Sequence, residues 1–301
     1  MFMIDFLKYR YFYAFVSALI FVVFIGDYTY KYITRGTTFI YSVDFTGGTQ
    51  LYLDFSQPVT SSQVIKPLEE AGITHVSTRE FSSTSLVVRA SSFSNEQEGI
   101  GPTIKHVLEK ALPGTTVTIK KIDSIGGGIG QSLKAKSVKA VSIALILMFL
   151  FIALRCWSFA FAAGALVSLF HDAIFILAYF LLFDKEISIN VIGAIVAVLG
   201  YSINDTIVIY ARIRENIAKL PGRPLEEIVN TSMNETLRRT LLTSFATTLV
   251  VLSLFLFGGE ALQGLAVTLL IGILFGTYSS IYIASPIMLM LSDDSSEELY
   301  K

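Results

Sequence analysis

The sequence predicts an α-helical polytopic membrane protein with six transmembrane helices and one α+β, ferredoxin-like domain outside the membrane. Three observations lead there. Of 301 residues, 53% are hydrophobic and 16% charged, against roughly 25% charged in soluble proteins. Six apolar stretches approach or exceed the roughly 20 residues a helix needs to cross a bilayer. A single segment, Arg35–Lys139, is polar and long enough to fold in water.

The first span, within residues 1–34, is built on the apolar run Tyr11–Ile25, which follows Lys8 and Arg10. Tyr9, Tyr11 and Tyr13 bracket it on one side and Tyr28, Tyr30 and Tyr32 on the other. Aromatic belts of this kind flank a retained span. No A-x-A site follows, so an uncleaved anchor is expected rather than a cleaved signal peptide.

The soluble domain, residues 35–125, reads as strand Gln50–Phe55, helix Ser61–Ala71, strands His75–Phe81 and Ser85–Ala90, helix Glu96–Leu112 and strand Thr116–Ile122. Leu51, Leu53 and Phe55 alternate onto one strand face. Gly72 and Pro113-Gly114 stop the two helices. The order β-α-β-β-α-β is that of the ferredoxin-like split βαβ fold.

The run Gly126-Gly127-Gly128-Ile129-Gly130 opens residues 126–139, expected to be a glycine-rich hinge. A five-helix bundle, residues 140–291, is expected from Ala140–Leu154, Trp157–Phe183, Ile187–Ala211, Thr240–Phe257 and Leu262–Leu291. A polar tail, residues 292–301, closes the chain. With Met1 inside, the inner ends of the spans gather Lys8, Arg10, Arg155, Arg212, Arg214, Lys219, Arg223, Arg238 and Arg239. The short outer loops hold only Lys185. The positive-inside rule therefore puts both termini in the cytoplasm and the soluble domain outside.

Composition and motifs remove several functions. A formal net charge of -1 gives no basic field for nucleic acid. One cysteine, Cys156, excludes an internal disulfide framework and any Cys-based zinc cluster. His75, His106 and His171 are too scattered to propose a metal site. No G-x-x-x-x-G-K-[ST] loop occurs, and Gly200-Tyr201-Ser202-Ile203 lacks the closing glycine of a hydrolase elbow. No catalytic residue and no cofactor are expected.

What remains is charge inside the membrane. In Ile187–Ala211 the one charged side chain is Asp205, and a carboxylate there costs roughly 2.5–3.5 kcal/mol on insertion scales. Burial favours its neutral form and a nearby cation its charged one, so a balanced site exchanges a proton. The expected cation is Arg239, at the inner mouth of the fifth span, with Arg238 next; a static ion pair is the plainer alternative. His171 and Asp172, near the middle of the third span, either extend a relay or form a buried hydrogen-bonded pair. Small residues at helical spacing mark faces for close helix packing. These are Gly193, Ala197, Gly200, Asn204 and Ala211 on the fourth span, and Ala160, Gly164, Ser168 and Asp172 on the third. The fifth offers Thr240, Thr243, Ser244 and Thr247, and the sixth Gly272 and Gly276.

The stretch GYSINDTIVIYARIREN (Gly200–Asn216) strongly resembles the signature of the SecF family, membrane subunits that work with SecD beside the bacterial protein-translocation channel. SVDFTGG (Ser42–Gly48), His171-Asp172, LRRTLLTS (Leu237–Ser244), LFGG (Leu256–Gly259) and GTYSSIYIASP (Gly276–Pro286) match it too, so the resemblance covers the chain nearly end to end. It implies half of a resistance-nodulation-division transporter in the inner membrane, with SecD supplying the other six spans. It implies use of the proton motive force to help draw preproteins out. Asp205 and Arg239 take the proton-transport positions, and Asp44, Gly47 and Gly48 shape the entry to the outer domain. The implied partners are SecD, the channel subunits SecY, SecE and SecG, the proteins YajC and YidC, translocating preproteins and membrane lipid. Two positions depart from the family pattern: Ala211 stands where an acid is frequent, and Gly126-Gly127-Gly128 replaces a Gly-Pro turn. The competing expectations are a half-transporter for a small molecule or lipid, and a brace that conducts nothing.

Overall fold

In the computed structural model, residues 3–73, 76–90, 99–156 and 158–292 are described. In chain order the principal elements are α1 (Arg10–Arg35), β1 (Gly48–Phe55), α2 (Ser61–Glu70), β2 (Ser77–Glu80), β3 (Ser85–Ala90), α3 (Gly101–Ala111) and β4 (Val117–Ile125). There follow α4 (Gly127–Cys156), α5 (Phe159–Leu182), α6 (Ile189–Lys219), α7 (Leu225–Phe257), α8 (Glu260–Ser279) and α9 (Ser285–Leu291). They form two compact units, Tyr41–Val138 and the remainder, Met1–Ile40 with Lys139–Lys301.

The soluble unit has a four-stranded sheet of order β2-β3-β1-β4, every neighbouring pair antiparallel. That is the order the βαββαβ reading requires. Alternation does the work: Leu51, Leu53 and Phe55 point to one side and meet Leu86, Val88, Val64, Leu68, Ile104, Leu108 and Val117 in one core. Burying each such side chain is worth roughly 1.5–3 kcal/mol. Helix α2 is set by a capping box, in which Gln63 Oε1 accepts from Thr60 N at 2.9 Å. It ends against Gly72 in the left-handed region (φ 82°). Thr74 and His75, with residues 91–98, lie outside the described residues, as do the start of the strand expected from His75, the first residues of the helix expected from Glu96, Trp157, and the tail from residue 293.

The glycine run, expected as a hinge over residues 126–139, is helical and opens α4. Its last glycine, Gly130, has a packing reason. A Cβ on Gly130 would sit 2.9 Å from the Phe45 carbonyl and 3.1 Å from Gly47 N, so this turn approaches the backbone of the Asp44–Gly48 segment. In that segment Ser42 caps a single helical turn, Val43–Thr46, and Asp44 Oδ2 accepts from Ser42 Oγ at 2.7 Å. Gly47 and Gly48 (φ 76° and 106°) then turn the chain into β1.

Among the described residues, six helices are long and apolar enough to cross a bilayer. Four are longer than the apolar runs alone suggest: α1, α4, α6 and α7. Helix α7 begins at Leu225 rather than Thr240. Its polar first half is amphipathic, burying Leu225, Ile228, Val229 and Met233. Arg238 and Arg239 therefore stand within a continuous helix, not in a loop. Helices α5 and α6 and the α8–α9 segment are substantially buried, while α1, α4 and α7 leave most of their apolar surface open. The last span is broken by a π-turn, Ser280–Ala284.

Candidate functional site

Helix α6 holds the site because its buried stripe is mixed. Val191, Ile195, Val198, Leu199 and Ile209 share it with Ser202, Asp205, Thr206 and Tyr210. In hydrocarbon every polar group needs a partner inside the protein, and most of these have one. Ser202 Oγ donates to Asp172 Oδ2 at 2.6 Å. Thr206 Oγ1 meets Ser280 Oγ at 2.9 Å, and Tyr210 OH donates to Ala284 O at 3.0 Å. The last two bind the π-turn, where the regular helical bonding of the carbonyls is interrupted. Ser202, Thr206 and Tyr210 thus form a ladder at four-residue spacing against α5 and the broken final span.

Asp205 is the exception. It is 3% exposed, and its Oδ2 has no hydrogen-bond partner. Arg239 on α7 is the cation whose charge acts on it, rather than Arg238. No ion pair within 4 Å joins Asp205 to any arginine among the described residues. Arg212, the nearest arginine along α6 itself, is bound at 2.6 Å to Glu235 and at 2.5 Å to Glu215. A second unpartnered buried oxygen, Thr240 Oγ1, follows Arg239 on α7. Around this pair of helices Tyr201 OH reaches Ser244 Oγ at 3.5 Å, and Ser244 Oγ lies 2.7 Å from Thr277 Oγ1 on α8.

His171 and Asp172 form a buried pair, 3% and 0% exposed, with Nδ1 3.2 Å from Oδ1. Ser202 ties this pair to α6 one turn before Asp205. The acids of α5 and α6 are therefore one helical turn apart through a single hydroxyl. His171 Nε2 faces Ser17 Oγ at 3.1 Å, and Ser17 meets Tyr278 OH at 3.0 Å. Ser17, Tyr278, Thr206, Tyr210 and Ser280 were not singled out from the sequence. Hydroxyls are common in apolar spans, and only the packing separates these from the rest.

The small-residue faces divide. Gly272 and Gly276 do pack: a Cβ there would meet Val198 Cβ at 2.8 Å and Ser202 Cβ at 2.9 Å. Gly164 does so as well, with Tyr210 OH at 2.5 Å and Ala284 O at 2.6 Å. On α6 the outcome is the reverse. Gly193, Ala197, Gly200, Asn204 and Ala211 are exposed, and an added Cβ at Gly193 or Gly200 would meet nothing within 4 Å. That face packs on no described helix of this chain. Asp44, Gly47 and Gly48 lie in the soluble unit.

Six membrane helices, a ferredoxin-like domain and a buried unpaired acid on a central span define a multi-pass bacterial membrane protein of the SecD/SecF class. Residues 104–294 match the family described as "Protein export membrane protein SecD/SecF, C-terminal", and residues 36–59 match the "SecD/SecF GG Motif". The chain belongs to the SecF family of protein translocase subunits. It is 37% identical to protein translocase subunit SecF of Thermodesulfovibrio yellowstonii, over 97% of this chain and 96% of that one. It is 34% identical to its counterpart in Pseudomonas aeruginosa, over 94% and 89%. The crystal structure of SecDF from Thermus thermophilus, titled a translocon-associated membrane protein, superposes with a TM-score of 0.83 at 30% identity. The match covers 96% of this chain but 38% of that longer chain.

Proposed function

We propose that this protein is an accessory subunit of the Sec translocase that pairs with SecD and uses the proton motive force to assist preprotein export across the inner membrane. The observation that carries the reading is Asp205, buried in a membrane helix with an unpartnered carboxylate oxygen and Arg239 acting on it across the helix interface. An unsatisfied group in hydrocarbon costs several kcal/mol. The fold tolerates that cost where the group does work, here taking up and releasing a proton. One charge crossing the membrane potential is worth about 2.3 kcal/mol per 100 mV, enough to bias a conformational change of a few kcal/mol.

The open small-residue face of α6 supports pairing with a second six-helix unit, because it offers a close approach that nothing among the described residues takes up. The distribution of lysine and arginine supports cytoplasmic termini and a periplasmic soluble domain. Contact with SecY, SecE, SecG, YajC or YidC belongs to the same proposal. The testing experiment is Asp205→Asn in a strain that depends on this protein. Export of a reporter preprotein falls to the level of a strain lacking the subunit, while the variant still co-purifies with SecD. Normal export rejects the proton role. A transport defect for a small molecule or lipid with normal export points to a half-transporter.

A further inference from the structure

The network around His171 fixes where its protons lie. Each hydroxyl has one proton to give. Tyr278 donates to the backbone carbonyl of Tyr13 at 2.9 Å, so its oxygen accepts from Ser17, 3.0 Å away. Ser17, with its proton so directed, accepts from His171 Nε2 at 3.1 Å, which places a proton on Nε2. Across the ring, Nδ1 lies 3.2 Å from Asp172 Oδ1. A neutral ring protonated on Nε2 presents only a lone pair there, facing a carboxylate oxygen. The contact becomes a hydrogen bond when the pair holds one further proton, shared between Nδ1 and Oδ1.

Removing that proton reverses the chain. The ring's remaining proton goes to Nδ1, where the carboxylate is the stronger acceptor. Nε2 then accepts from Ser17, Ser17 accepts from Tyr278, and the Tyr13 carbonyl loses the bond from Tyr278, keeping its helical one.

We propose that His171–Asp172 is a one-proton site separate from Asp205, and that Ser17 and Tyr278 read its occupancy by making or breaking the Tyr278–Tyr13 bond to α1. The groups facing the pair are Ser17 and Phe21 on α1, Phe175 on α5, Ser202 on α6, and Tyr278 and Ser279 on α8. None of them is an acid or a base that ionises near neutral pH, so among the described neighbours the pair answers to its own proton. The rings of Phe175 and Tyr278 lie 4.0 and 5.7 Å from the imidazole centroid and shield it. Helix α1 ends at Arg35, shortly before the soluble unit begins at Tyr41. The clasp therefore acts on the segment that leads into that unit. Ser17 and Tyr278 are positioning residues, and the proposal stands whether or not Asp205 moves protons.

The test is a pH titration of the full chain in lipid nanodiscs by nuclear magnetic resonance. Ring nitrogen-15 signals of His171 are followed together with the Tyr13 carbonyl, selected by labelling Tyr–Ala pairs, of which the sequence has Tyr13-Ala14 and Tyr210-Ala211. The proposal predicts that the Tyr13 carbonyl shift and the loss of the Nε2 proton share one midpoint. In Ser17→Ala the carbonyl keeps the bond from Tyr278 while His171 titrates, and in Tyr278→Phe it lacks that bond at every pH. Asp205→Asn leaves the shared transition in place. A Tyr13 carbonyl indifferent to His171 titration in the unmodified protein overturns the proposal. So does a ring that loses its Nδ1 proton first, or one that keeps a single state wherever the protein stays folded. Should Tyr278→Phe not fold, the unmodified protein and Ser17→Ala decide.

Discussion

Single side chains set the chemistry, and the most legible of them was the one that costs most. Asp205 stands out because it is the one charged residue among the twenty-five positions Ile187–Ala211. Arg239 was legible as a cation at a span end, although the helix that carries it proved longer than the apolar run. Tyr210 gave no signal: a tyrosine near an inner span end reads as part of an aromatic belt, yet it is fully buried and serves the π-turn. Tyr210→Phe leaves the Ala284 carbonyl without its donor while preserving the ring contact with Phe161, 4.8 Å between centroids. Buried membrane hydrogen bonds average about 0.6 kcal/mol in measured cycles, so thermal unfolding of this variant in detergent should fall by a few degrees at most. A larger loss would mean that the hydroxyl does more than satisfy one carbonyl.

At the scale of elements, the soluble fold was readable nearly residue by residue because strand alternation and glycine stops are local signals. Ser85–Ala90 agrees at both ends, and β1 and α2 within two residues. The glycine-rich stretch was not readable in the same way. Glycine serves both flexibility and close approach, and only the contact between Gly130 and Phe45 shows which applies. Small-residue faces carry the same ambiguity, since spacing says that a helix can approach but not whose helix. Two substitutions separate the cases. Gly272→Leu drives a side chain into Val198 and should destabilise this chain itself, by the roughly 1–3 kcal/mol or more typical of overpacking. A Cβ on Gly200 meets nothing within 4 Å and the position is exposed, so with Gly200→Leu the isolated chain should melt as before while recovery with SecD falls. Unimpaired recovery of the Gly200→Leu complex would show that this face meets lipid.

For the molecule as a whole, two polar fastenings hold the ends of α1 to the rest of the membrane unit, with the Ser17 and Tyr13 contacts between them. Near its start, Asn230 and Asn234 bind the backbone of Ile4 and Phe6 at 2.8–3.2 Å, and Arg10 pairs with Glu226 at 2.6 Å. Near its end, Lys31, 4% exposed, bonds the Leu181 carbonyl and Asp184, and Arg35 reaches the same Asp184 at 2.9 Å. The hydrogen bond from Lys31, with Arg35 beside it, holds the Asp184 carboxyl below the usual carboxylate range. A group held low in the folded state contributes stability above its ordinary range, and loses it as pH falls through the lowered value. Amide exchange over residues 27–35 should therefore be slow at neutral pH and quicken on acidification below about pH 4, the ordinary carboxylate range. Asp184→Asn should remove that pH dependence; if it persists, another group fastens the helix.

Membrane spans and the central acid were visible in one sequence because hydrocarbon imposes simple rules. Partner-facing surface was not, because an open face and a packed face share a composition. The most direct measurement of the central claim is proton flux through the purified SecD complex in sealed proteoliposomes under an imposed pH gradient, with and without Asp205→Asn. A flux that the unmodified complex sustains and the variant lacks, at equal reconstitution, is the predicted result. Equal flux in the two would contradict the assignment of Asp205 as the proton site.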